Sequence, residues 1–161
     1  MTATQSHAPC IVEFGGVWAD CPQIIGNIER ETSDPESYAR FTTALVLPGS
    51  DASEHRSNSD LSIEMAAQQN EFFRLLRHRF CLAVESAASW YQKEYAISER
   101  LEHCEGNCLL RYQSGEEYTA HYDGATAHGR CVSVILYLND DYEGGELEFV
   151  NFGLKIKPRA G

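Results

Sequence analysis

The residues best suited to carry chemistry form the tripeptide His121-Tyr122-Asp123. Successive side chains of a β-strand point to opposite faces, so the first and third side chains would lie on one side, with Cα atoms about 6 to 7 Å apart. An imidazole and a carboxylate placed in this way can bind the same cation. They would supply two corners of the two-histidine, one-carboxylate triad that holds non-haem iron(II) and leaves positions open for a cosubstrate and oxygen.

The same tripeptide has a purely structural interpretation. A histidine two positions before an aspartate also arises by chance, and Asp123 followed by Gly124 is typical of a turn. On the tripeptide alone, a surface histidine beside a turn is the simpler interpretation. The sequence around the tripeptide must therefore decide between a metal site and a surface histidine beside a turn.

The C-terminal part of the chain is rich in short, β-like segments that are separated by turn residues. These segments are residues 108–112, 117–121, 131–138, 146–149 and 153–157. Helical patterns come first and strand patterns follow, without a regular alternation of the two. This order favours an antiparallel sheet or a two-sheet sandwich with helices on one face.

The N-terminal part, residues 1–100, is expected to supply strands and supporting helices. Segments 11–14 and 41–47 are typical of strands, and the polar segment 48–60 indicates a long exposed loop. We expect residues 1–100 and 101–161 to be two sections of one domain, because a chain of 161 residues can bury one sizeable core but hardly two.

Two helices are predicted in this N-terminal section. Asp20 can cap a short helix with three isoleucines on one face, Ile24, Ile25 and Ile28. Between residues 67 and 95, apolar residues recur every three or four positions and define one stripe of a long helix. The stripe consists of Phe72, Leu75, Leu76, Phe80, Ala83, Ala87, Trp90 and Tyr91. We expect it to cover a sheet, since the burial of such faces is the norm.

Several ordered blocks around the tripeptide resemble the catalytic core of the prolyl 4-hydroxylase branch of the 2-oxoglutarate oxygenases. The resemblance covers residues 109–161, about a third of the chain. The blocks are Leu110-Arg111-Tyr112, Gly115-Glu116-Glu117-Tyr118, His121-Tyr122-Asp123, Arg130 with residues 132–139, Gly144-Gly145-Glu146-Leu147, Phe149, Lys157-Pro158 and Gly161. Blocks in this order and spacing are far more specific than the tripeptide, so they favour the metal site.

The resemblance implies a double-stranded β-helix, the jelly roll that is also called cupin-like, with the long helix packed on its sheet. It implies iron(II) as the metal, 2-oxoglutarate as cosubstrate and O2 as oxidant. Ascorbate would keep the iron reduced. The substrate would be a prolyl residue of a peptide, or else a small molecule, and the products would be succinate, CO2 and the hydroxylated substrate.

The resemblance also assigns roles to single residues. His121 and Asp123 would bind iron. Tyr112, Tyr137 and Leu147 would line the cosubstrate pocket, where a phenol can donate a hydrogen bond to a carboxylate without adding charge. Arg130 would lie at the mouth of the substrate groove. The glycines Gly144 and Gly145 would open the next strand with positive φ angles.

The chain departs from the family pattern at its end. Relatives continue with a strand, the second iron histidine and a basic residue that pairs with the far carboxylate of 2-oxoglutarate, whereas this sequence ends at Gly161. His128 follows Asp123 too closely to fill that position, and we expect it in a loop. The expectation is therefore an incomplete jelly roll with a weak two-ligand site and no activity in isolation.

Composition restricts the partners and the location. The net charge of −11 argues against nucleic-acid and anionic-membrane surfaces, which need clustered lysine and arginine. The sequence has neither a secretory signal nor an apolar run long enough to span a membrane, so we expect a cytoplasmic protein with reduced thiols.

Three alternatives stay open. The jelly roll could be a non-catalytic module that binds a peptide or a sugar, with a vestigial metal site. It could instead be a cupin-type metal protein with other chemistry. A zinc site at His103, Cys104 and Cys108 would lack its fourth ligand, so a thiol pair in a loop or in the core is the simpler interpretation there.

Overall fold

The computed structural model describes residues 3–43, 56–98, 101, 103–123 and 130–161. These residues form two compact units that interleave along the chain. The first unit comprises residues 1–25, 79–104 and 122–161, and the second comprises residues 26–78 and 105–121.

The described elements follow in chain order, and three of them are helices. The strands are β1 Gln5–Ala8, β2 Ile11–Glu13, β3 Thr42–Thr43, β4 Ser59–Ser62, β5 Cys108–Arg111, β6 Leu147–Phe149 and β7 Leu154–Ile156, and the helices are α1 Cys21–Ser33, α2 Ile63–Ala66 and α3 Glu71–Glu94. The helices contain more residues than the strands. The described part is thus a mixed helix and strand structure, whereas the sequence predicted a mainly β fold.

The strands form three open antiparallel sheets. β1 pairs with β2, and β6 pairs with β7 across a short 3-10 turn at Val150–Phe152. β4 is the central strand of the third sheet, between β3 and β5. Among the described residues these sheets do not close into a jelly roll, so that fold stays a proposal.

Several predicted strands are present. β2 lies within 11–14, β5 within 108–112, β6 within 146–149 and β7 within 153–157.

Two predicted strands are wrong in the described structure. Segment 117–121 carries an isolated bridge from Tyr118 to Arg56, and segment 131–138 forms no ladder with any described residue. A strand exists only where a neighbour completes its hydrogen bonds, and an apolar pattern does not reveal that neighbour.

The predicted exposed loop 48–60 is wrong at its C-terminal end. Ser59 and Asp60 belong to β4, which pairs with β5 and ends at the cap of α2. Residues 44–55, which include the end of the predicted strand 41–47, lie outside the described residues.

The helix α1 confirms the prediction and extends it to Ser33. It begins after Asp20, whose backbone carbonyl accepts from Ile24 N at 3.1 Å. The Asp20 carboxylate instead binds Arg79, with two hydrogen bonds of 2.7 Å. Ile24 and Ile28 are buried, as the apolar face requires.

The helix α3 begins at Glu71 instead of residue 67 because Asn70 caps it. The Asn70 side-chain oxygen accepts a hydrogen bond from Phe73 N at 3.2 Å, which satisfies one amide that has no partner within the helix. Asn70 also donates to Glu31 at 2.8 Å. At the other end, Ala96 has a φ of 48°, a left-handed conformation that is common where helices stop.

The apolar stripe of α3 differs from the predicted one at two positions, Phe73 and Leu75. Phe73 has 0% exposure and is the most buried side chain of the helix, whereas Leu75 is 56% exposed. Leu76 and Ala87 are buried, as predicted. That the helix covers the jelly-roll sheet stays a prediction.

The first unit contains a strongly paired glutamate on β2. Glu13 accepts from His7 at 3.0 Å and from Arg159 at 2.5 Å, which ties the β1–β2 hairpin to the residues after β7. Burial by itself would raise the pKa of Glu13, but the two hydrogen bonds more than offset burial, so the pKa lies below its ordinary value of 4.5.

We predict that Phe73→Ala lowers the free energy of unfolding by about 3 to 5 kcal/mol, because it removes a fully buried ring and leaves a cavity. Leu75→Ala on the same helix should change it by less than about 0.5 kcal/mol, since the side chain is exposed. Urea unfolding of both variants measures the difference. Equal decreases in the free energy of unfolding would contradict the buried position of Phe73 and the exposed position of Leu75.

We predict that Glu13 makes the free energy of unfolding depend on pH in the acidic range. In the unfolded chain Glu13 has its ordinary pKa of 4.5, and in the folded chain its pKa is lower. Its contribution to the free energy of unfolding is therefore fully present above pH 4.5 and is lost as the pH falls through the pKa of the folded state. In Glu13→Gln, unfolding measured across the acidic range should lose part of this pH dependence. Glu36→Gln, at an exposed position, is the control. An unchanged slope in Glu13→Gln would refute the assignment.

Candidate metal centre

The two candidate iron ligands lie on either side of the boundary between the two compact units. His121 is the last residue of the second unit, and Tyr122 and Asp123 belong to the first. Each ligand is therefore described with the neighbours in its own unit.

The imidazole of His121 has a defined tautomer. Its Nδ1 lies 2.8 Å from the backbone oxygen of Thr119. A carbonyl oxygen can only accept, so Nδ1 carries the proton and Nε2 carries the lone pair. Metal-binding histidines usually have this arrangement, with the second nitrogen bound to a carbonyl or carboxylate. His121 thus fits a metal that approaches Nε2.

The His121 ring also stacks on an aromatic neighbour. Its centroid lies 3.8 Å from that of Tyr118, and the two planes differ by 11°. Arg56 lies over the Tyr118 ring, with its guanidinium carbon 5.0 Å from the centroid.

The carboxylate of Asp123 is held through both oxygens. Arg130 donates to Oδ1 at 3.0 Å, and the Ser133 hydroxyl donates to Oδ2 at 2.5 Å. An ionised carboxylate has about four lone-pair sites, so these bonds orient the group and leave it able to bind a cation. Asp123 thus fits as the second ligand.

A third ligand is not found in the part of the chain that the structure describes. No group of three histidine, cysteine, aspartate or glutamate side chains is close enough there to hold a metal ion. The finding applies also to the zinc alternative: among the described residues, His103, Cys104 and Cys108 do not form such a group. His128 lies outside the described residues. Taken one by one, the donor atoms of His121 and Asp123 are of the kinds that bind iron(II).

The predicted cosubstrate residues fall in both units. Tyr112 follows β5 in the second unit, and partial burial raises the pKa of its phenol although the residue is 45% exposed. Tyr137 and Leu147 are half-buried in the first unit. The backbone oxygen of Tyr137 accepts from Gly161 N at 2.8 Å, and Leu147 opens β6 opposite Ile156.

The turn before β6 has the predicted conformation. Gly144 and Gly145 have φ angles of 77° and 67°, which residues with a side chain rarely adopt. A Cβ on Gly145 would also lie 3.0 Å from the Tyr142 ring. The prediction of positive φ angles is confirmed.

Sequence reasoning missed the groups that hold the two ligands. Thr119 acts through its backbone, which leaves no signal in a pattern of side chains. Ser133 lies ten residues from Asp123, and a hydroxyl in an apolar segment was the only hint. Arg130 was assigned to the substrate groove, and its ion pair with Asp123 was not anticipated.

Comparison with known protein families identifies the class of protein that the C-terminal segment resembles. Residues 108–161 match the model of the 2OG-Fe(II) oxygenase superfamily. Both candidate ligands lie inside the matched segment.

Curated relatives narrow this class. The chain is 36% identical over 81 residues to "Probable prolyl 4-hydroxylase 9" of Arabidopsis thaliana, which covers 37% of this chain and 28% of the relative. It is 36% identical over 75 residues to "Prolyl 4-hydroxylase 13" of the same plant, covering 33% and 27%. The resemblance to prolyl 4-hydroxylase-like 2OG-Fe(II) oxygenases is thereby confirmed for this segment.

The matches are partial. The chain spans less than a third of the length of these relatives. No solved structure matches the chain. No described helix is both long enough and apolar enough to cross a lipid bilayer.

We predict that His121 of the metal-free chain is protonated at Nδ1 when its ring is neutral, because the Thr119 oxygen lies within hydrogen-bonding distance. Nitrogen and proton NMR of the labelled protein distinguish the two tautomers. His78, an exposed residue of α3, serves as the comparison ring. Protonation of His121 at Nε2 would contradict the prediction.

Proposed function

We propose that the chain contributes to iron(II)- and 2-oxoglutarate-dependent hydroxylation, with His121 and Asp123 as iron ligands. The observation that carries the proposal is the hydrogen bond of His121 Nδ1 to the Thr119 oxygen, at 2.8 Å. It places the proton of the neutral ring on Nδ1, so Nε2 carries the lone pair that a metal ligand needs, and it lies within the segment that matches the oxygenase superfamily.

The reaction class follows from the metal and its cosubstrate. Iron(II) held by His121 and Asp123 would supply oxidative chemistry: one atom of O2 would enter the substrate as a hydroxyl group and the other would enter succinate, while 2-oxoglutarate would lose CO2. The chain's own residues bind and orient the components.

Asp123 supplies the anionic ligand. The hydrogen bonds from Arg130 and Ser133 fix the plane of its carboxylate and reduce the entropy lost when the metal binds. The guanidinium of Arg130 also reduces the charge that Asp123 presents, so iron must compete with an existing ion pair. In this proposal Arg130 retains its role at the substrate groove as well.

The cosubstrate pocket is proposed to include Tyr112, Tyr137 and Leu147. A neutral phenol can donate a hydrogen bond to a carboxylate of 2-oxoglutarate without adding charge. Leu147 would exclude water from the pocket.

The remaining parts of the proposal rest on the family resemblance. The complete domain would be a jelly roll that supplies a second histidine and a basic partner for the far carboxylate of 2-oxoglutarate. The substrate would be a prolyl residue of a peptide or a small molecule, and ascorbate would keep the iron reduced.

We predict that His121→Ala or Asp123→Ala abolishes iron-dependent turnover of 2-oxoglutarate in the chain joined to a family segment that contains a second histidine and a basic residue. Each substitution removes a metal ligand, so the chelated complex cannot form. Anaerobic titration with iron(II) and 2-oxoglutarate follows the visible charge-transfer band of that complex, and succinate formation measures turnover.

The matched controls are His78→Ala and Asp34→Ala, at exposed positions of the second unit. Both should keep the band and the turnover. Retention of wild-type turnover in His121→Ala or Asp123→Ala would refute the metal assignment. A protein with neither band nor turnover would instead favour a binding module, and a band with no response to 2-oxoglutarate would favour a cupin-type metal protein.

A further inference from the structure

The ring of Tyr118 is placed to hold the imidazole of His121 in one orientation. Their centroid separation of 3.8 Å and interplanar angle of 11° describe parallel stacking. The hydrogen bond to Thr119 anchors one edge of the imidazole, but a single hydrogen bond still permits the ring to tilt about it. The stacked phenol restricts that tilt, because the two flat surfaces are in van der Waals contact.

Arg56 contacts the Tyr118 ring from the segment just before β4. Its Nε donates to Asn58 at 2.8 Å, and its Nη2 lies 3.4 Å from Asp60. Asn58 is completely buried, so the guanidinium is anchored to a fixed group. An Arg56 fixed in this way can stay over the Tyr118 ring, where the ring quadrupole attracts its charge.

The backbone fixes the same two segments to each other. Ser57 N donates to the Glu117 oxygen at 3.0 Å, and Glu117 N donates to the Ser57 hydroxyl at 2.8 Å. Arg56 and Tyr118 form the β-bridge beside these bonds. The stack is therefore supported by both main chain and side chains of the second unit.

We propose that Tyr118, held by Arg56, is a positioning residue that sets the orientation of the His121 ring for metal binding. The proposal rests on the proposed function, because it takes His121 as a ligand. It adds a contribution from residues 56–60, which lie outside the segment that matches the oxygenase superfamily. A ligand that is already oriented loses less entropy when the metal binds, so the stack raises metal affinity without touching the metal.

The stack should also respond to the metal. A bound cation withdraws electron density from the imidazole and makes the ring more positive. The electron-rich face of a phenol attracts such a ring more strongly, as it attracts other cationic groups. The interaction therefore favours the metal-bound form over the metal-free form.

The first experiment is NMR of the metal-free chain. The phenol face shields the His121 ring protons, so Tyr118→Leu should move their signals downfield, whereas Tyr118→Phe should keep them in place. Tyr38→Leu, at a residue that is 80% exposed, is the matched control and should leave them unchanged. Unchanged His121 signals in Tyr118→Leu would overturn the proposal.

The second experiment measures the binding of iron(II) alone by anaerobic titration calorimetry, with His121→Ala as reference. Tyr118→Leu should weaken the part of the iron(II) affinity that depends on His121 by about three- to tenfold. Tyr118→Phe, which keeps the ring, should bind iron(II) as the wild type does. Arg56→Met should weaken it as well, while Arg56→Lys should give an intermediate loss, since lysine keeps the charge without the fixed fork.

The outcomes separate this proposal from the proposed function. Equal iron affinity in wild type and His121→Ala would refute His121 as a ligand, and the NMR shifts would still decide whether the stack orients the ring. Affinity that depends on His121 but is unchanged in both Tyr118→Leu and Arg56→Met would overturn the positioning role. If thermal unfolding shows that Tyr118→Leu is not folded, the iron(II) affinity of Arg56→Met tests the positioning role in its place.

Discussion

The close approach of two chain segments at Gly161 is the constraint on which the first unit depends. The Gly161 oxygen accepts from Val17 N at 2.7 Å, and its amide donates to the Tyr137 oxygen at 2.8 Å. A Cβ at this position would lie 2.1 Å from the Trp18 oxygen, which no side chain tolerates, and φ is 73°. Only glycine can therefore join these segments, and the two hydrogen bonds of Gly161 connect Tyr137 to Val17. The ion pair of Arg159 with Glu13 and the paired Asp20 and Arg79 strengthen the same unit.

The second unit depends on β4 in a comparable way. This strand pairs with β5, and the residues just before it pair with those that lead to His121. The buried side chain of Asn58 fixes Arg56, which lies over Tyr118. A segment without resemblance to any catalytic motif thus supports the ring of a candidate ligand. In a site of this kind, the supporting groups determine how well the ligands are oriented, and their loss commonly weakens metal binding.

The two candidate ligands are supported by different means. His121 is held by a main-chain carbonyl and a stacked ring, which are neutral groups. Asp123 is held by a guanidinium and a hydroxyl, so its support includes a charge that opposes the binding of a second cation. The carboxylate is also half-exposed, where solvent reduces the strength of such ion pairs. The Arg130 interaction can therefore be exchanged for a metal bond at modest cost.

The sequence by itself determined the local features: the helices α1 and α3, the strands β6 and β7, the positive φ angles at Gly144 and Gly145, and the resemblance to the prolyl 4-hydroxylase branch. Each of these depends on residues close together in the chain, where periodicity and backbone preference act directly. Only the tertiary structure decided that Phe73 and not Leu75 is buried, and that Arg56 lies over the ring beside His121. These features depend on contacts between residues that are up to tens of positions apart in the chain. Which of those residues come within a few ångströms of each other is decided by the folded chain. No pattern along the sequence encodes that distance, because many pairings satisfy the same local preferences and packing selects among them.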